Sequence, residues 1–255
     1  MDKLFKPKSK QTGLFGKVVK EADTEMQIES KEEVPKYVPW VEKYRPNKID
    51  EVSHQLEVVK SLNESIKTGQ VPHLLMYGPP GTGKTSTVLA MAKELFGKDF
   101  YKSRILELNA SDERGIQVVR DKIKKFAQRK IATNPGINCP PIQICILDEA
   151  DSMTIDAQAA LRRIIEAYST NTRFCIICNY ISKIIDPLAS RCVKFRFSAI
   201  SQEAQKDRLN LICDRENIKI ESPKVLDALI DISEGDLRRS INTLQTCSSF
   251  VKGQS

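Results

Sequence analysis

Between the apolar run Leu74–Tyr77 and a helical pattern from Ser86 to Phe96, the chain reads Gly78-Pro79-Pro80-Gly81-Thr82-Gly83-Lys84-Thr85. Every fixed position of GxxxxGK[ST] is filled, and the strand before it and helix after it are the setting the pattern requires. Glycines let backbone N–H groups close around an anion, and the following helix points its positive end at the same place. Lys84 can then reach the outer phosphates of a nucleotide, and Thr85 can hold Mg²⁺. The alternative, a glycine-rich turn that binds nothing, leaves the lysine and the flanking strand and helix unexplained. A loop of this kind commits the chain to an α/β fold with a mostly parallel sheet.

The remaining periodicity agrees. Short apolar runs at 105–108, 142–147, 174–178 and 193–197 read as strands, and 116–128 and 156–167 read as helices between them. After Ser198 the strands stop, and 202–217, 223–232 and 236–250 read as three helices. The expected organisation is a disordered basic tail over 1–36, a P-loop nucleotide-binding domain over 37–198 and a small all-helical lid over 199–255.

The third strand runs into Asp148-Glu149-Ala150-Asp151, at the sheet edge where open α/β folds bind ligands. Asp148 is placed to hold Mg²⁺, through water, and Glu149 to polarise an attacking water. Taken alone, the same string reads as a solvated acidic turn; the phosphate loop upstream favours the catalytic reading.

Composition narrows the remaining classes. The net charge is +7, with 40 Lys and Arg in 255 residues, which fits a polyanionic partner. The longest apolar runs are too short to span a bilayer, so no membrane partner is expected, and the N-terminus lacks the apolar core of a secretory signal. The seven cysteines are odd in number and mostly sit in apolar runs, as reduced thiols do. Cys175 and Cys178 are spaced as a CxxC but lie within one strand. There they face opposite ways, which suits packing better than zinc.

Several strings together resemble one family. They are Val41-Glu42-Lys43-Tyr44-Arg45-Pro46, the stretch from Leu106 through Asn109 and Arg114 to Gly115, the Asp148–Asp151 string, Ser190-Arg191-Cys192 and Gly235-Asp236-Leu237-Arg238-Arg239. In order and approximate spacing, from about residue 38 to 250, the chain is similar to the small subunits of replication factor C, the sliding-clamp loader among AAA+ ATPases. The resemblance implies the AAA+ P-loop fold, ATP and Mg²⁺ as cofactors and slow ATPase activity outside an assembly. It further implies a hetero-pentamer with other replication factor C subunits, a sliding clamp and primer–template DNA as partners, and a nuclear location. The basic start at Lys3, Lys6, Lys8 and Lys10 is a compatible, weak import signal.

It also implies residue roles. Asn179 matches the sensor that positions the hydrolytic water, although an Asn ending a strand needs no such role. Arg238 matches a second sensor reaching the γ-phosphate from the lid, with Arg239 the adjacent alternative. Arg191 matches an arginine finger acting in a neighbouring subunit, unless it is an ordinary loop arginine. Tyr44 and Arg45 match the segment beside adenine and ribose, with Tyr44 equally readable as core. In such loaders helix ends track DNA phosphates; here these are the helix starting at Ile116 and the one after Asp151, with Arg114, Arg120, Lys124 and Arg162 the basic candidates and ordinary solvated helix charges the other reading.

Members of that family carry a further helical collar after the lid, and this chain stops at Ser255. The resulting expectation is a weakly assembling ATPase. A non-hydrolysing adaptor that binds clamp and partner subunits is the alternative. A helicase, which shares the Asp-Glu-Ala-Asp string, would need a second nucleotide-binding domain where only helices follow.

Overall fold

In the computed structural model of the chain, residues 38–52, 55–111, 116–129, 131, 139–220 and 222–252 are described. The expected tail over 1–36 lies outside them. The chain forms α1 (Trp40–Lys43), α2 (Leu56–Thr68), β1 (Leu74–Tyr77), α3 (Lys84–Arg104), β2 (Ile105–Asn109), α4 (Ile116–Ala127) and β3 (Gln143–Asp148). It continues through α5 (Ile155–Tyr168), β4 (Thr172–Cys178), α6 (Asp186–Ala189), β5 (Val193–Arg196), α7 (Gln202–Arg215), α8 (Pro223–Ser233) and α9 (Leu237–Lys252). The strands pair in parallel in the order β2-β3-β4-β1-β5. This is the expected α/β class, a parallel P-loop sheet followed by helices.

A parallel sheet covered on both faces needs strands that are apolar throughout, and alternate residues then serve different cores. Leu74, Met76, Ile144, Ile146, Cys175 and Ile177 pack beneath α2 and α3. Leu75, Cys145, Leu147, Phe174, Ile176 and Cys178 pack against α4, α5 and α6. Cys175 and Cys178 therefore belong to opposite cores, and no group of three or more His, Cys, Asp or Glu among the described residues could hold a metal. The one polar residue in this part of β3, Gln143, is buried but satisfied. Its Nε2 donates to Phe126 O and Thr172 Oγ1, both at 3.0 Å, tying the start of β3 to α4 and β4.

A third core joins α7, α8 and α9 through Leu209, Ile212, Leu226, Leu229 and Leu244, and takes in Trp40 and Tyr44 from the start of the described chain. Trp40 N donates to Gln245 Oε1 at 3.1 Å, across 205 residues of sequence. Thr154 and Ser201 begin α5 and α7, each side chain accepting from the amide three residues on.

Two features depart from the periodicity reading. α2 is absent from it. α3 is broken at Gly97, whose φ of 66° is not helical, and a second helical stretch continues from there to Arg104, beyond the pattern that ended at Phe96. Among the described residues no helix is long and apolar enough to cross a membrane.

Candidate active site

Strand order decides where the site lies. β1 is flanked by β4 and β5, with β3 next beyond β4, so the C-terminal ends of β1, β3 and β4 open side by side. Asn109, the last residue of β2, is in register with Asp148, the last of β3. A cleft of about 650 Å³ lies over these ends and is closed on one side by α1 and the start of α9.

The phosphate loop is shaped by backbone that only glycine adopts without strain. Gly78 has φ 146°, and a Cβ there would meet Phe197 O at 2.1 Å. Gly81 has φ 68°, and a Cβ there would meet Asp236 Oδ1 at 1.7 Å. Both positions are closed to any other residue unless neighbours move.

Lys84, first residue of α3, is buried. Its Nζ donates to Gly78 O at 2.8 Å, Pro79 O at 2.7 Å and Asn179 Oδ1 at 3.0 Å. Burial pulls its pKa below the ordinary lysine value, against the opposing pull of Asp148. Thr85 Oγ1 donates to Asp148 Oδ2 at 2.7 Å, and Glu149 N donates to Asp148 Oδ1 at 2.8 Å. Glu149 itself is exposed and sits at φ 54°, a left-handed conformation for a non-glycine residue. Strain of this kind gathers at functional turns. Asn179 N points to Asp151 Oδ2 at 3.4 Å.

Tyr44 and Arg45, just after α1, and Arg238, on α9, also line the cleft. Tyr44 is at the same time buried in the third core. Its hydroxyl donates to Glu216 Oε1 at 2.5 Å. Arg45 Nη2 donates to Glu42 Oε1 at 2.8 Å. Gly78 and Pro79 are not among the residues that line the cleft, whereas those from Pro80 to Thr85 line it together with Asp148, Glu149 and Asn179.

Arg191 is not in this cleft. It follows α6, where its guanidinium donates to Pro187 O and pairs with Glu166 of α5. The segment carrying α6 is held by Gln158, whose Nε2 donates to Lys183 O and whose Oε1 accepts from Ile185 N, both at 2.9 Å. Arg162 Nε lies 3.3 Å from the same Glu166 carboxylate. Arg120 and Lys124 are half-buried on α4, which shares the second core with α5. Arg114 lies outside the described residues.

Arg208 and Asn109 are among the cleft residues to which the sequence reading gave no role. Arg208 on α7 lines the cleft and donates Nη2 to Tyr44 O at 2.5 Å; nothing local in 202–217 singles it out. Asn109 also lines it, and its position at a strand's C-terminal end was the available signal.

Comparison with known proteins fits this geometry. Residues 74–200 match the ATPase family associated with various cellular activities (AAA), and residues 207–249 match the RCF1/5-like AAA+ ATPase lid domain. Replication factor C subunit 2 of Saccharomyces cerevisiae is 58% identical over 82% of this chain and 61% of its own length. Replication factor C subunit 4 of Homo sapiens is 57% identical over 86% of this chain and 61% of its own. The Caenorhabditis elegans subunit 4 is 47% identical over 89% of this chain and 67% of its own. The chain thus spans about three-fifths of the length of the first two relatives. Among solved structures, a RuvB variant of Thermotoga maritima superposes with a TM-score of 0.58 at 18% identity, covering 77% of this chain and 62% of that one, which speaks to the fold alone. With its phosphate loop, its acidic strand end and its helical lid, the chain belongs to the replication factor C subunit family within the AAA ATPases.

Proposed function

We propose that the chain is an ATP-binding subunit of a DNA replication clamp loader, acting in the nucleus with other replication factor C subunits on a sliding clamp and primer–template DNA. One observation carries the reading: Lys84, Thr85, Asp148 and Asn179 converge on the phosphate loop by direct hydrogen bonds, with Arg238 facing them from the lid.

The residues fit ATP and Mg²⁺. A hydroxyl and a carboxylate oxygen 2.7 Å apart at the head of α3 are the hard oxygen donors that Mg²⁺ takes, with phosphates and water completing its shell. Bound Mg²⁺ supplies positive charge against the phosphate oxygens. Lys84 exchanges its loop carbonyls for phosphate oxygens, which a buried ammonium binds more strongly than an exposed one. Thr85 and Asp148 hold the cation. Glu149, exposed on its left-handed turn, accepts a proton from the attacking water, and Asn179 orients that water. Arg238 brings positive charge to the outer phosphate from α9. Arg191 serves the site of a neighbouring subunit.

The domain division at about residue 198 belongs to the same proposal, with the lid moving as ATP binds and leaves. Labelled ATP binding by the chain, followed by turnover alone and with partner subunits, clamp and primed DNA, tests it. The expected result is tight binding throughout and turnover that rises on assembly with DNA. Absence of binding would end the reading.

A further inference from the structure

We infer that Asp236 is a positioning residue: it registers the helical lid on the phosphate loop through contact with Gly81 and thereby holds Arg238 in front of that loop. The inference rests on the nucleotide reading of the cleft and goes beyond it by naming what sets the distance between its two sides.

Asp236 stands immediately before α9, and its Oδ1 accepts from Arg238 N at 2.9 Å and Arg239 N at 3.2 Å. It therefore caps the helix that carries Arg238, fixing the backbone of that arginine directly. The same carboxylate lies on the Cα of Gly81. A Cβ at Gly81 would fall 1.7 Å from Asp236 Oδ1, 2.4 Å from its Cγ and 3.1 Å from its Cα. The phosphate loop and the α9 cap thus occupy one space, which only a missing side chain leaves open.

A second close approach backs the first. A Cβ at Gly235 would lie 2.9 Å from Ala199 Cβ, in the connector that joins sheet and lid, and Ile200 N points to Gly235 O at 3.4 Å. The turn before α9 is itself bent into left-handed backbone, with Glu234 at φ 51° and Gly235 at φ 86°. Asp236 N donates back to Ser233 O at 2.9 Å. The turn is therefore wedged between connector and loop. Loosening its tip frees the first turn of α9, and with it Arg238.

Two double-mutant cycles test this. In the first, thermal unfolding without nucleotide is compared for wild type, Gly81→Ala, Asp236→Ala and the double variant. Strain from the left-handed backbone at position 81 appears on both sides of the cycle and cancels. Removing the Asp236 side chain should relieve the added Cβ, so the double variant melts above the additive expectation. In the second, affinity for labelled ATP is measured for Asp236→Ala with and without Arg238→Ala. Asp236→Ala alone should weaken ATP binding about 5- to 10-fold and have no further effect once Arg238 is gone, which general loosening of the fold would not produce. Asp236→Asn keeps the capping acceptor and the shape, and should bind ATP within ~2-fold of wild type. Additive losses in either cycle, or unchanged ATP binding by Asp236→Ala, overturn the role of Asp236 alone. Failure of the wild-type chain to bind ATP overturns the nucleotide reading and this role with it.

Discussion

The ammonium of Lys84 and the amide oxygen of Asn179 lie 3.0 Å apart, 95 residues apart in sequence, and join the phosphate loop after β1 to the end of β4. Neither residue needs the other for its local structure. Their meeting places a positive charge between two loop carbonyls and a polar side chain, where a phosphate oxygen can displace any of the three.

Lys84→Ala should therefore reduce ATP affinity by ~10²-fold, the size of one or two charge-assisted hydrogen bonds. The fold should tolerate it, because it removes a cation whose burial is already unfavourable. Equilibrium binding of labelled ATP together with a melting curve checks both parts. Undiminished binding would show the loop to be decorative.

Glu149→Gln keeps volume and hydrogen bonding but removes the base. ATP binding should persist while turnover in the assembled complex falls at least ~10²-fold. Turnover near wild type would remove Glu149 from the catalytic role.

Arg191 is held by Glu166 and Pro187 O, away from its own cleft, in a pair that is more than a third exposed. Such a pair contributes little, ~0–1 kcal/mol. Arg191→Ala in the isolated chain should leave ATP binding and melting nearly unchanged. In an assembled complex it should lower hydrolysis at the adjacent site on the order of 10³-fold or more while sparing binding at its own. Single-site turnover measurements on complexes carrying one such subunit would separate the two sites.

Replacing Arg120 and Lys124 together by Ala should weaken DNA binding about equally for all sequences and flatten the salt dependence by roughly one to two units. Arg120 is half-buried, and its Nε has no hydrogen-bond partner among the described residues, so the loss should not unfold α4. An unchanged slope would return both residues to ordinary helix surface.

His73 sits at the opposite end of β1. Burial, and then the nearby charge of Arg173, bring its pKa down from 6.5 to about 4. Its Nδ1 accepts from Phe174 N at 3.1 Å, which requires the neutral ring. Because the folded pKa lies below the unfolded one, this stability is complete above pH 6.5 and is lost as pH falls toward 4. The melting temperature should drop over that interval in wild type and drop less in His73→Gln, measured in one buffer series.

Much of this architecture is written in short stretches of chain. The strand–glycine loop–helix unit, the apolar runs of β1, β3 and β4 and the acidic end at Asp148 are local patterns, legible because period and turn chemistry act over a few residues. The helical pattern read from Ser86 to Phe96 stops where the backbone leaves helical geometry at Gly97, and the helical turns from there to Arg104 carry no comparable apolar pattern. The roles of Asn179, Arg191 and Arg238 came from likeness to a family, since nothing in their own neighbourhoods distinguishes them from a strand end, a loop charge and a helix charge.

By itself the sequence determined the class of fold, the phosphate loop and the strand-end carboxylates, because each depends on neighbours within one element. Tertiary structure alone decided the strand order that brings Asn179 to Lys84, the packing of Trp40 and Tyr44 among helices nearly the whole chain away, the pairing of Arg191 with Glu166 and the wedging of Asp236 against Gly81. These are contacts between surfaces that share no local pattern. They are selected when all three cores close at once and every buried polar group must find its partner, a condition on the whole chain that no window of its sequence contains.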